Sequence, residues 1–209
     1  RQAARVSRVA VSTDAPDIAA DARSAGAQVV PRPAALATDH ARIDDAARHV
    51  VQTLGWTEGP VVILYGNVPI RPDGLVERAL ELLANSDADS VQSYTRVGKN
   101  HPWWMVRMDP ASGAVRPWEG ERINNGVFPR QDLPPAHIPD GGVIAVTLPA
   151  LMLAIEGVAP GPHAFLGRES HRRGIETPEG SVIDIDTAID LVFAKDITEQ
   201  GLHELASHP

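Results

Sequence analysis

Asp184 and Asp186, two residues apart in Ser181-Val182-Ile183-Asp184-Ile185-Asp186-Thr187, are the side chains of this sequence best placed for chemistry. Val182, Ile183 and Ile185 predict a short buried strand. Strand side chains repeat every second residue, so both carboxylates point to one face. Asp186 or Thr187 then suits the N-cap of a helix whose apolar side is Ile189, Leu191, Val192 and Ile197. Two carboxylates where a strand gives way to a helix suit a hard divalent cation, and Mg²⁺ in particular is held by one or two carboxylates plus substrate phosphates. The pair alone also admits a plainer reading, in which one aspartate caps the helix and the other is solvated. The rest of the chain decides between them.

The bulk properties set limits. A length of 209 residues predicts one domain of ordinary size, or one domain with a protruding arm. A hydrophobic fraction of 43% with only 4% aromatic residues gives a full, mostly aliphatic core. A net charge of −8 argues against a protein that grips nucleic acid or an anionic membrane. It leaves room for a nucleotide, because a metal ion and a few arginines can supply a local positive field. There is no cysteine, hence no disulfide, thiolate or zinc–sulfur site. No apolar run approaches the ~20 residues of a membrane span, and nothing resembles a cleaved signal peptide. A cytoplasmic protein is expected.

The elements that must position the aspartates emerge from periodicity. A strand is predicted over 6–11, ended by Ser12-Thr13-Asp14, which doubles as a helix start. Ile18, Ala19, Ala22 and Ala25 form a small-residue helical face closed by Gly26. A strand over 28–30 is broken by Pro31-Arg32-Pro33, and a helix is predicted over 43–54. The run 61–64 is apolar on both faces, as at the centre of a parallel sheet, and leads into Tyr65-Gly66-Asn67. An amphipathic helix over 73–84 and a strand over 89–94 complete a β-α-β-α-β-α-β series, the pattern of a helix-covered parallel sheet. Residues 103–108 and 114–116 read as an antiparallel hairpin around Asp109-Pro110-Ala111-Ser112-Gly113. Beyond it come a strand over 138–146, a short helix over 148–154, a weak strand over 164–166 and a basic, polar stretch over 167–177. The hairpin interrupts the alternation, so a mixed α/β sheet with an excursion fits better than a pure doubly wound one.

In open parallel sheets ligands bind beyond the carboxyl ends of the strands. Those positions are occupied here by Ser12-Thr13-Asp14, Arg32, Tyr65-Gly66-Asn67, His101 and the Asp184/Asp186 pair. Singly, each has an ordinary structural explanation as a cap, turn or surface residue. Gathered on one rim, they predict a site for a phosphate-bearing ligand with a metal.

The segments Val11-Ser12-Thr13-Asp14, Arg32-Pro33-Ala34-Ala35-Leu36-Ala37-Thr38-Asp39, Pro69-Ile70-Arg71, His101-Pro102, Arg130-Gln131-Asp132-Leu133-Pro134 and Asp184-Ile185-Asp186-Thr187 occur in this order. Together they resemble the acylneuraminate cytidylyltransferases, the CMP-sialic acid and CMP-nonulosonate synthetases, over nearly the whole chain. The resemblance implies a three-layer, Rossmann-like α/β nucleotide-binding fold with a mixed, mostly parallel sheet. It also implies a β-hairpin arm (99–135 and 164–177) that meets a partner subunit in a homodimer. The implied reaction transfers CMP from CTP to the anomeric hydroxyl of a nonulosonic acid, with Mg²⁺ and release of pyrophosphate. Carried over, Asp184 and Asp186 are the metal-binding and catalytic residues. Ser12, Asp14, Arg32 and Asn67 belong to the nucleotide site. Arg130, Gln131, His101 and Asp140 belong to the sugar-acid side, where a guanidinium pairs with a carboxylate through two hydrogen bonds.

Departures from the pattern are informative. The family begins with a strand and a glycine-rich loop bearing an arginine and a lysine around the triphosphate, and this sequence starts after that point. Without it, little catalysis and a sheet short of one central strand are expected. Tyr65-Gly66-Asn67-Val68 replaces the common Gln-Pro-Thr-Ser, Asp140-Gly141-Gly142 replaces Asn-Gly-Ala, and Trp103-Trp104 replaces a lysine after His-Pro. The extra carboxylate and tryptophan pair favour a nonulosonic or ulosonic acid other than sialic acid. Two alternatives stand beside the cytidylyltransferase: a metal-dependent glycosyltransferase, which would prefer a nucleotide sugar to free CTP, and a non-catalytic nucleotide- or sugar-acid-binding module.

Overall fold

The computed structural model describes residues 5–200. It opens with β1 (Ala10–Thr13), α1 (Pro16–Ser24) and β2 (Gln28–Pro31), two parallel strands joined by a helical crossover, with Ala10 opposite Gln28 and Thr13 opposite Pro31. The first strand thus lies later than the predicted 6–11, and Ser12 and Thr13 belong to it rather than to a helix start. Pro16 sets the boundary, since its fixed φ suits the first helical position. Thr13 Oγ1 accepts the Ala15 N–H at 3.1 Å and turns the chain into the helix. Gly26, at φ 77°, closes α1 as expected.

After α2 (Ile43–Thr53) come β3 (Val61–Ile63), α3 (Leu75–Ala84) and β4 (Ser90–Arg96). The hairpin is β5 (Val106–Met108) and β6 (Val115–Pro117). Asp109 Oδ1 closes its turn by accepting Ser112 N at 2.7 Å and Ala111 N at 3.1 Å. Trp103 and Trp104 lie before it in a 3₁₀ turn, not in the strand. The chain then forms β7 (His137–Val146), α4 (Leu148–Leu151), β8 (Arg172–Thr177) and α5 (Ala188–Gln200).

The main sheet runs β3-β7-β4-β8. β7 is antiparallel to both β3 and β4, whereas β8 is parallel to β4. Strands β3, β4 and β8 therefore share one direction, and β7 alone is reversed. This corrects two expectations. The sheet is mixed as expected, but two of its three pairings are antiparallel rather than most being parallel, and β3 is a terminal strand of the four, not the centre of a parallel sheet. The run looked central because helices cover both of its faces. Residues 164–166 form a 3₁₀ turn in place of a weak strand. Residues 172–177 are a strand of the main sheet, so the 164–177 stretch is not an excursion from the body. Its polarity hid it: only Ile175 and Thr177 of β8 are buried, and Gly174 is where the Tyr94 ring approaches. Among the described residues no ladder joins β1-β2 to the main sheet.

Alternation along β7 builds the layers. Val143 and Ala145 face α3, packing with Leu75, Ala79, Leu83, Val91 and Ile175. Ile144 and Val146 face the other way, toward Val51 of α2, Leu151 of α4 and Phe165. The result is helix, sheet, helix: three layers. Each fully buried Val, Leu or Ile contributes about 1.5–3 kcal/mol. No described helix is long and apolar enough to cross a membrane.

The edge of β4 remote from the aspartates is pinned by an ion pair. Buried Asp89 accepts from Arg168 N at 2.9 Å, Nε at 2.8 Å and Nη2 at 2.9 Å, and the Arg168 hydrogen bonds hold its carboxyl below the ordinary value. Gly167, at φ 74°, lets the backbone come this close, and a Cβ there would collide with Asp89. Gly167→Ala is expected to cost roughly 2 kcal/mol, about 4–8 °C in Tm. A folded-state carboxyl pKa below the unfolded value, about 3.9, gives stability that is complete above that pH and lost as pH falls through the folded value. Asp89→Asn should therefore lower Tm at neutral pH and converge with the wild type in strong acid, as melting curves from pH 7 to 2 will show.

Candidate functional site

The loop after β3 is the platform of the site. Val68 and Ile70 are buried, which turns the loop inward at both positions. Arg71 clamps it: Nε donates to Gly142 O at 2.6 Å and Nη2 to Tyr65 O at 2.8 Å, tying both ends of the loop to β7. Onto this platform the chain lays residues 183–185. Ile183 N donates to Ile70 O at 3.2 Å and Ile185 N to Asn67 O at 2.8 Å. The predicted strand over 182–185 is thus an extended segment with a single antiparallel bridge, Ile70 to Ile183, outside the main sheet.

The expected geometry of the acids holds on this shorter support. Asn67 Nδ2 donates to Asp184 Oδ1 at 2.6 Å and to Asp186 Oδ1 at 3.3 Å, so both carboxylates face one amide. Thr187 is the helix cap, not Asp186. Asp190 Oδ2 accepts Thr187 N at 2.7 Å, Thr187 Oγ1 at 2.8 Å and Asp186 N at 3.2 Å, while Asp190 N donates back to Thr187 Oγ1 at 3.4 Å. This is a capping box, and it fixes the backbone of Asp186 while leaving its carboxylate for chemistry. Burial, then the charges of Asp186 and Asp190, push the Asp184 carboxyl above its ordinary value, and the Asn67 hydrogen bond opposes them. A carboxylate pushed up by burial and by like-charged neighbours makes the pair a candidate functional site.

Strand direction decides what shares this edge. β3, β4 and β8 end here and β7 begins here, so residues 64–71, 97–101, 130–137 and 178–186 meet on one rim. Asp44, at the start of α2, also acts on Tyr65 through its charge. Burial comes first in raising that phenol, followed by Asp184 and then Asp44.

The other expected residues divide. Arg32 and Ser12 meet at the ends of β2 and β1, with Arg32 Nε 3.2 Å from Ser12 Oγ and Nη2 2.5 Å from Ser12 O. Asp14 is exposed just beyond them. No hydrogen bond or ion pair among the described residues joins this group to the aspartates. Arg130 and Gln131 lie exposed on a 3₁₀ turn seven and six residues before β7. His101 is a positioning group: buried, with Nε2 donating to Pro134 O at 2.9 Å and Nδ1 accepting Trp103 N at 3.2 Å, it has no ring nitrogen left for a substrate. Asp140 is likewise spent on structure. It accepts Gly142 N at 2.9 Å and the hydroxyls of buried Ser93 and Thr177, joining β7 to β4 and β8. Both residues leave the sugar-acid set.

Sequence reasoning placed Tyr65 on the rim only as a neighbour of Asn67, and it missed Arg71 as the clamp of the loop. Arg71 stood inside a segment singled out for its resemblance, next to a buried isoleucine, and that was the available signal. Among the described residues no three His, Cys, Asp or Glu side chains cluster as a metal cage. Two carboxylates alone suit a cation that takes its other ligands from substrate phosphates and water, as Mg²⁺ does.

A three-layer α/β sheet with a carboxylate pair at its C-terminal edge is the class of protein defined here. No family profile matches the sequence. In structure the chain is similar to a CMP:2-keto-3-deoxy-manno-octonic acid synthetase complexed with CTP, with TM-score 0.63 and 16% identity over 96% of this chain and 84% of that one. At that identity the likeness establishes the fold alone.

The structural assignment of Asp140 is open to test. Asp140→Asn would turn an amide N–H₂ toward donors that need an acceptor, at a cost of roughly 1–3 kcal/mol. Melting curves should show that loss, and an unchanged Tm with a weakened substrate KM would return Asp140 to the binding site.

Proposed function

We propose that this chain is a CTP-dependent cytidylyltransferase that transfers CMP to a 2-keto sugar acid of the nonulosonic or ulosonic type. The observation that carries the reading is the convergence of Asp184 and Asp186 on Asn67, on the C-terminal rim of a fold shared with a CTP-bound sugar-acid synthetase. In this reaction the anomeric hydroxyl oxygen of the acceptor attacks the α-phosphorus of CTP. The bond from that phosphorus to the β-bridging oxygen breaks, pyrophosphate leaves, and the hydroxyl proton passes to solvent. Such a transfer depends mostly on positioning and charge neutralisation.

Asp184 and Asp186 are the residues that would hold Mg²⁺, which when bound neutralises phosphate charge. Asn67 keeps the two carboxylates on one side, and the Thr187–Asp190 cap fixes the second of them. Arg32, set against Ser12 beside Asp14, belongs to the nucleotide side. Arg130, next to Gln131, offers a forked donor to the acceptor carboxylate, and His101 steadies that segment through Pro134. A homodimer through the hairpin is part of the same reading, supported by exposed Met108, Val115 and Trp118.

The test uses the full-length gene product with CTP, Mg²⁺ and a panel of 2-keto sugar acids that includes sialic acid and 2-keto-3-deoxy-manno-octonic acid. Pyrophosphate release that requires CTP, a sugar acid and Mg²⁺ together is expected. Asp186→Ala should lower kcat/KM by about a hundredfold or more. No release with any acceptor, or turnover of a nucleotide sugar in place of CTP, overturns the proposal.

A further inference from the structure

We propose that Tyr65 contacts substrate, its hydroxyl donating a hydrogen bond to an anionic oxygen of the ligand held beside Asp184 and Asp186. The inference rests on the functional reading above and goes beyond it, because nothing in the carboxylate pair requires a tyrosine. Four observations lead to it.

The backbone of Tyr65 is fixed. Its carbonyl accepts Arg71 Nη2 at 2.8 Å and Val68 N at 3.3 Å, so the residue cannot drift with the loop. The ring is fixed as well. It packs at the margin of the Ile63, Ile144 and Val146 cluster and lies over Gly141, where a Cβ would stand 3.3 Å from Tyr65 Cδ2. Gly141 has φ 75°, which disfavours any other residue there, and that absence of a side chain is what gives the ring its seat.

The hydroxyl, by contrast, has no hydrogen-bond partner among the described residues. The two carboxylates whose charges act on this phenol are already engaged elsewhere: Asp44 accepts from Arg42 at 3.0 and 2.8 Å and from Arg48 at 2.9 Å, and Asp184 accepts from Asn67 at 2.6 Å. A tyrosine whose apolar body is locked and whose polar tip is left free is a contact residue in waiting. Lastly, Tyr65 stands two residues before Asn67, on the loop against which the segment bearing the carboxylate pair is laid. An O–H there complements an oxygen of the nucleotide phosphates or of the acceptor carboxylate, the same chemistry from two sources.

Tyr65→Phe removes only the hydroxyl and keeps the ring on Gly141. In the full-length protein it should melt within about 1 °C of the wild type and raise the KM of one reactant about tenfold or more, the scale of one lost hydrogen bond to a charged group. A rise for CTP assigns the phosphate oxygen, and a rise for the sugar acid assigns its carboxylate. Calorimetric titration of Mg²⁺-CTP, and of the sugar acid, into both proteins separates the two claims. A wild type that binds neither reactant sinks the functional reading and this inference with it. A wild type that binds and turns over, with a Phe variant equal to it in both KM values, sinks this inference alone.

Discussion

Two aspartates on a short extended segment share a face only if something holds that segment flat, and here the sheet itself does not. The hold comes from two backbone hydrogen bonds, Ile183 to Ile70 and Ile185 to Asn67, laid on a loop that Arg71 has already fastened to β7. The chain of dependence is short. Buried Val68 and Ile70 shape the loop, Arg71 fixes it, the loop aligns residues 183–185, and the alignment sets the carboxylates side by side. A strand with neighbours on both flanks would have bound the acids more rigidly and left less open space around them. The bridge holds them at an exposed rim instead.

Burying a carboxylate and setting like charges beside it both raise the energy of the folded chain, and the Asp184 carboxyl is pushed up first by burial and then by Asp186 and Asp190. Two devices reduce that cost without removing it. Asn67 brings a neutral donor between the acids, and in the Thr187–Asp190 box the Thr187 hydroxyl accepts the Asp190 N–H of α5 while the Asp190 carboxylate accepts the N–H groups of Asp186 and Thr187 just before it. Thr187 is therefore the cap, one of the two residues the sequence offered, and Asp190 supplies the reciprocal half of the box in place of Asp186. The pair stays free because a third acid, four residues on, takes the structural task.

Much of this was legible beforehand, and what was not has physical reasons. Helices α1, α2 and α3 are dictated by apolar periodicity and their glycine and proline punctuation. The Asp184/Asp186 geometry came from the two-residue spacing alone, which any extended backbone obeys, so it survived the loss of the strand assigned to it. β8 was missed because its alternation is carried by only two buried side chains, one of them a threonine. The reversed direction of β7 could not be read locally, since an apolar strand covered on both faces has the same composition whichever way it runs. His101 and Asp140 misled for a related reason. A polar residue at a strand end is equally good as a ligand or as a structural acceptor, and only its neighbours decide. Pro134 O and Trp103 N occupy the first, and Ser93, Thr177 and Gly142 the second.

The arginines show how the chain would meet anionic reactants. It carries a net charge of −8, and most of its guanidinium groups near the sheet are bonded to the protein itself. Arg71 holds backbone carbonyls, Arg42 and Arg48 neutralise buried Asp44, Arg168 neutralises Asp89, and Arg173 pairs with Asp87. Arg32 keeps contact with Ser12 yet stands at the strand ends, and Arg130 has no partner among the described residues. Even with the exposed Lys99 of the same rim, these cationic side chains cannot offset a triphosphate, a carboxylate and the two aspartates beside them. In the proposed reaction the largest positive charge must therefore arrive with the nucleotide, and the adjacent carboxylates are the groups able to receive it. In that reaction the acidity of this rim, which alone would repel anionic reactants, would become the condition for binding them as a cation complex.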